Sequence, residues 1–131
     1  MKQILLAIFL IAVPVVGFTG FQLYFNSGEA VAEQAVLGDL SAMQTVVRET
    51  QAIAEKGDLP AAEKRITDFE TLWDEAEPTL RPKNKDAWSN VDSASDGALK
   101  ALRSKTPDAA KVKSTLAALQ ASLTDPLKPV N

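Results

Sequence analysis

Five carboxylates surround one tryptophan in DFETLWDEAEPTL, residues 68–80, before the run meets Pro78. Glu70, Asp74 and Glu77 fall at i, i+4 and i+7, the spacing that puts them on one face of a helix, with Glu63 further back on the same stripe. Asp92 and Asp96 repeat the i, i+4 spacing in the next helical stretch. Oxygen ligands in this number suit a hard cation such as calcium or magnesium. One helix, however, offers only a line of carboxylates. A cage forms only if Asp92 and Asp96 face Glu70, Asp74 and Glu77. Otherwise both stripes are solvated helix edges, where like charges four apart cost about 0.2–0.5 kcal/mol, offset by Lys64, Arg65, Lys100 and Arg103.

Other site chemistries find less support. The chain has no histidine and no cysteine, which removes the commonest general base, the usual transition-metal ligand and any thiolate or disulfide. Serines and threonines are plentiful, but none stands in a nucleophile-elbow pattern, and no phosphate-cradling glycine loop occurs. Paired carboxylates could hydrolyse glycosides, but only with a substrate cleft that so small a bundle cannot build. No catalytic residue, cofactor or structural metal is expected. Trp73 and Trp88 could wall an apolar ligand, yet both are in phase with apolar helix seams and are expected in the core. Arg81, Lys83 and Lys85 could hold an anion, or simply favour the C-terminal end of a helix.

The elements that would position these residues are helical. In GDLSAMQTVVRETQAIAEKGD, Leu40, Met43, Val47, Thr50 and Ala54 step along one face, broadened by Val46 and Ile53. Asp39 or Ser41 can cap this helix, and Gly57 ends it. Asp58 followed by Pro60 opens a second helix, with Ala62, Ile66, Phe69, Trp73, Ala76 and Leu80 as its seam and an end expected between Glu75 and Leu80. A third helix, capped by Asp86, carries Trp88, Val91, Ala98 and Leu102, with Leu99 widening the stripe and Gly97 weakening the helix by about 1 kcal/mol relative to alanine. The last runs from about Pro107 to Leu123 on Ala109, Val112, Leu116, Leu119 and Leu123, and TDPLKPVN reads as a frayed tail. No strand pattern is evident. Short connections between amphipathic helices predict an all-α antiparallel bundle of three to four helices, the first shorter or less regular.

Ahead of this domain, Ile4 to Phe25 contains no charge, long enough to cross a bilayer as a helix. Residues 1–27 are therefore expected to be a signal anchor or transmembrane segment, 28–38 a linker, 39–124 the bundle and 125–131 the tail. The rival is a cleaved signal peptide processed after Ala32, where Ala30-Val31-Ala32 gives an A-x-A match. Lys2 before the segment favours an inner-membrane, single-pass protein with its domain in the periplasm or its equivalent. Cleavage would instead leave that domain soluble there. The exported part carries thirteen basic and seventeen acidic side chains, a balance that argues against nucleic acid as a partner.

Gly57-Asp58-Leu59, Phe69-Glu70-Thr71 with Trp73-Asp74, Ala76-Glu77, Leu80 and Pro82, then Trp88 with Val91-Asp92, resembles a group of small exported, membrane-anchored helical bacterial proteins of unknown function. The resemblance implies the same location and architecture and supplies no catalytic residue. A kinase role would need a phosphoacceptor histidine and a nucleotide lid, and the chain has neither. The expectation is a non-catalytic, membrane-tethered domain acting through protein–protein contact, an accessory or scaffold subunit of an envelope complex. The alternative is a ligand- or cation-binding sensory-type bundle that uses the acidic faces of the second and third helices.

Overall fold

The computed structural model describes residues 36–129. Over these the chain is all-helical: α1 Ser41–Glu55, α2 Leu59–Leu80, α3 Lys85–Leu102 and α4 Ala109–Thr124. The apolar run at residues 4–25 lies outside the described residues, as does the A-x-A match. Among the described residues, no helix is long and apolar enough to cross a membrane.

Three of the four helices begin where a capping side chain captures a free backbone donor. Asp58 accepts from Ala61 N at 3.1 Å with Pro60 in the first turn, and Asp108 accepts from Ala110 N and Lys111 N. The start of α3 differs from expectation. Its cap is Asn84, in extended backbone, accepting from Ala87 N at 3.0 Å. Asp86 falls two residues inside, in the first turn, where its charge meets the helix dipole without capping. At α1 neither expected residue holds the cap position: Leu40 does, without a side-chain capping bond, and Asp39, one residue further out, accepts from Ser41 N at 2.9 Å. The hydrogen bonds from Ser41 hold the Asp39 carboxyl below its ordinary value. Gly57, at φ +85°, closes α1 in the left-handed conformation that glycine adopts without strain.

Pro78 lies inside α2, which runs to the far limit of the expected range. Proline removes one donor, but the ladder resumes with Arg81 N donating to Glu77 O at 3.0 Å. Leu80 is thereby carried round into the core. The first helix is the shortest of the four, as expected, but not irregular: its 15 residues form one continuous α-helix.

The helices pack cyclically, α1 on α2, α2 on α3, α3 on α4 and α4 back on α1, with the α2–α3 contact the least extensive. Side-chain links fix the directions. Gln44, near the start of α1, donates to Leu123 O at the end of α4. Asn90, early in α3, donates to Pro126 O just past α4. Arg103, just past the end of α3, reaches Glu63 and Glu70 in the first half of α2. The architecture is an antiparallel four-helix bundle.

Its core is Met43, Val46 and Val47 from α1, the α2 seam Ala62, Ile66, Phe69, Trp73 and Leu80, Val91, Ala98, Leu99 and Leu102 from α3, and Val112, Leu116, Leu119 and Leu123 from α4. Ala109 is exposed at the start of α4 and stands outside the seam. Two segments read as peripheral belong to the core. Leu37, assigned to the linker, is fully buried with the first layer of α1. Pro126, assigned to a frayed tail, is also fully buried, and its carbonyl is held by Asn90 at 2.9 Å. A single buried leucine or proline leaves no periodic trace, so neither was visible as core.

Candidate functional site

The α2–α3 seam collects the residues that could do chemistry. Phe69 and Trp73, one helical turn apart on α2, have ring centroids 6.1 Å apart with nearly parallel planes. Trp88, from α3, stacks on Trp73 at 5.7 Å. The Arg81 guanidinium closes the far end, 5.1 Å from the Trp88 ring, a cation–π arrangement. Trp73 is core, as expected. Trp88 is only half-buried and packs against the core from outside. Its Nε1 is nonetheless buried, with no acceptor among the described residues. The aromatics form a filled column and leave no slot for an apolar ligand between them.

Asp92 sits beside this column. Its Oδ1 accepts from Trp73 Nε1 at 3.1 Å. Partial burial raises its carboxyl above the ordinary range, opposed by the indole hydrogen bond and reinforced by the negative charges of Asp96, Glu77 and Asp74. These four residues therefore share one electrostatic neighbourhood, as facing stripes require.

They do not form a cage. Among the described residues, no group of three or more acidic side chains is gathered closely enough to hold a metal ion. The reason lies in their partners. Glu70 is taken by Arg103 at 2.5 Å, which lowers the Glu70 carboxyl and raises the Arg103 guanidinium. Glu63 lies on the other side of the same guanidinium at 3.9 Å. Glu77 is paired with Arg81 at 3.1 Å. Asp74 and Asp96 are exposed to solvent. Of the five candidate ligands, three are thus already engaged by an arginine or an indole. On the other flank of α2, Arg65 bridges Glu49 of α1 and Asp68, and these contacts raise its guanidinium. Lys64 and Lys100 form no ion pair among the described residues.

The basic run after α2 does not converge either. Arg81 is spent on Glu77 and Trp88, while the Lys83 ammonium lies over Gly38, 3.0 Å from where a Cβ would stand.

A different surface emerges at α4, one that the sequence seam did not flag. This helix has no acidic residue and only two lysines in 16 residues. Ala109, Ala110, Ala117 and Ala121 are exposed along it. Beside α1 the small side chains leave an open groove of about 370 Å³, bordered by Gln51, Ala54 and Glu55 on one side and Ala110, Lys113 and Ala117 on the other. The signal was present as an alanine-rich outer face, but alanine's helix propensity explains such residues equally well.

Compared with family models, curated proteins and solved structures, the chain matches none of them.

Proposed function

We propose that this chain is a non-catalytic, membrane-tethered helical module, displayed outside the cytoplasm, that works by protein–protein contact as an accessory or scaffold subunit of an envelope complex. The observation that carries the contact reading is the outer face of α4. A solvated helix ordinarily carries charge on the side opposite its core stripe. Here α2 follows that rule with six acidic residues, and α4 departs from it with exposed alanines and no acid. Low charge and small side chains let a second helix approach closely without desolvating ions.

The tether rests on the uncharged run Ile4 to Phe25. The test is cross-linking in intact cells that express the full chain, followed by membrane fractionation and identification of what is joined to it. A cross-linked protein species recovered with the membranes is expected. Recovery of the chain in the soluble fraction would remove the tether, and absence of any cross-linked protein would remove the contact role.

The alternative, a cation- or ligand-binding sensory bundle, draws on the negative charge gathered around Asp92. It is the weaker reading, because Arg103, Arg81 and Trp73 already occupy Glu70, Glu77 and Asp92.

A further inference from the structure

We infer that the bundle rests on the bilayer surface by one end, with Leu127 set into the lipid headgroup layer. This orientation rests on the membrane-tethered reading above. The starts of α1 and α3 and the ends of α2 and α4 share that end: Gln44 reaches Leu123 O, Asn90 reaches Pro126 O, and the Lys83 ammonium lies over Gly38. The chain also enters the bundle there, because Leu37 is fully buried with the first layer of α1. Only residues 26–36 separate Leu37 from the uncharged run that ends at Phe25. That many residues span at most about 40 Å when fully extended. The turns at the opposite end stand a further ~33 Å away, along the 22 residues of α2. On any shorter path of the connecting residues, the Leu37 end is the one next to lipid.

Leu127 stands at this same end and is the one large apolar side chain exposed among the described residues, at 53%. A leucine exposed singly needs no explanation, but this one is held out by a braced turn. Pro126 before it is fully buried, with its carbonyl bonded by Asn90 at 2.9 Å. Lys128 N closes the turn on Asp125 O at 3.2 Å, and the Lys128 ammonium lies 3.6 Å from the Asp125 carboxylate. The leucine is thus presented with little conformational freedom left to lose on contact. Around it Arg81, Lys83, Lys85 and Lys128 balance Asp39, Glu77, Asp86 and Asp125, so this end carries no net charge. The six acids of α2, by contrast, turn that helix's outer face away from an anionic bilayer. Lysine stems lie along apolar surface while their ammonium groups stay among phosphates. One leucine binds lipid weakly, and a short tether compensates by holding it there at high effective concentration.

The absence of native cysteine makes single labels unambiguous. The full chain is reconstituted into protein-free vesicles of phosphatidylcholine and phosphatidylglycerol and recovered by flotation. A nitroxide is placed at Pro82→Cys, in the α2–α3 turn, or at Ser104→Cys, in the α3–α4 turn at the opposite end, both exposed positions. Its collisions with oxygen, which enters lipid, are compared with its collisions with a neutral nickel chelate, which stays in water. The label at 82 is expected to be shielded from the chelate and the label at 104 open to it. Leu127→Glu shifts the docked-to-free ratio about tenfold toward free and opens position 82, while Leu127→Phe keeps it shielded. Circular dichroism checks that both variants fold. Equal exposure of the two labels on floating vesicles overturns the docking and leaves the tether standing. A chain that does not float removes the tether and this orientation with it. Shielding at 82 in cell envelopes but not in the vesicles means that a protein covers this end, which sinks the lipid contact and favours the contact reading. Shielding indifferent to Leu127→Glu overturns the part given to Leu127.

Discussion

The Trp73 indole, on α2, donates its Nε1 hydrogen to Oδ1 of Asp92, on α3, across 3.1 Å. This bond joins the least extensively packed pair of neighbouring helices and ties the aromatic column to the acidic stripe. It also means that a core residue's polar atom is satisfied by a carboxylate that burial and its neighbours push toward the neutral form. Seam and stripe are therefore one structural unit.

Substitution at Asp92 separates the bond from the charge. Asp92→Asn keeps an oxygen acceptor for the indole and removes a charge crowded by Asp96, Glu77 and Asp74. It is expected to raise the thermal midpoint at neutral pH slightly. Asp92→Leu removes the acceptor and leaves the buried Trp73 donor unpaired, at a cost of about 1–3 kcal/mol. Thermal denaturation followed by tryptophan emission reads both. An Asn variant less stable than the parent would show that the charge helps the fold.

The pH profile follows from the signs of two shifts. Asp92 titrates above its ordinary 3.8 in the folded chain, so its contribution is full below that value and is lost as pH rises through its raised value. Glu70 titrates below its ordinary 4.5, so its contribution is present above that value and is lost as pH falls through its lowered value. The two oppose each other in mild acid. Asp92→Asn should therefore gain over the parent near neutrality and lose that advantage below about pH 4, a difference measured by the midpoint against pH.

Arg103 draws together Glu63 and Glu70, at 3.9 and 2.5 Å. All three side chains are more than a third exposed, so solvent screening holds the contribution to about 0.2–1 kcal/mol. Arg103→Gln should lower stability by that amount in dilute buffer and by less in molar salt. A loss that does not change with salt would mean that the arginine acts through its packed stem.

Much of the bundle was legible because its core is periodic. The steps of three and four through Ile66, Phe69, Trp73 and Leu80 can be satisfied only by a helix with one buried face, and Asp58 with Pro60 announces the start of that helix. What escaped was carried by single residues or by pairing. Leu37 and Pro126 are core positions outside any periodic run. The choice of Asn84 over Asp86 as a cap turns on a backbone angle that the sequence does not specify. Whether the acidic stripe is a cage or an edge depended on which arginine reached which carboxylate. Sequence proximity suggested four basic candidates, and side-chain reach across α2 and α3 selected Arg103 over Lys100.

Leu37 tests how far the folded domain extends. A leucine with no exposed surface, truncated to alanine, costs about 2–5 kcal/mol. Leu37→Ala should therefore destabilise the bundle as strongly as Leu116→Ala, which removes an equally buried side chain of α4. Denaturant midpoints compare the two. A near-neutral Leu37→Ala would return residue 37 to the linker.

Gly97 lies mid-way along α3, is not in a left-handed conformation, and has room for a methyl group, the nearest atom to an added Cβ being Thr115 Cγ2 at 3.9 Å. No backbone requirement demands glycine there. Gly97→Ala should stabilise the bundle by about 0.4–1 kcal/mol, chiefly by restricting the unfolded chain. A decrease in the midpoint would mean that the α3–α4 spacing depends on the missing side chain.

The acidic seam offers the sharpest contrast between a proton and a metal. Calcium takes about six to eight oxygen ligands, and magnesium demands near-octahedral geometry. Glu70 is paired with Arg103, Glu77 with Arg81, and Asp92 accepts from Trp73. Asp74 and Asp96 are then the two candidates left without such a partner, one on each of two helices. Two carboxylates leave most of the coordination shell to water, which is diffuse attraction and no built site. Millimolar calcium or magnesium should therefore leave the thermal midpoint of the parent unchanged beyond the effect of matched ionic strength. The variant Arg81→Gln with Arg103→Gln frees Glu77 and Glu70 and should become the more cation-responsive of the two. A specific midpoint rise in the parent at low millimolar calcium, abolished by Asp92→Asn, would establish the seam as a cation site after all.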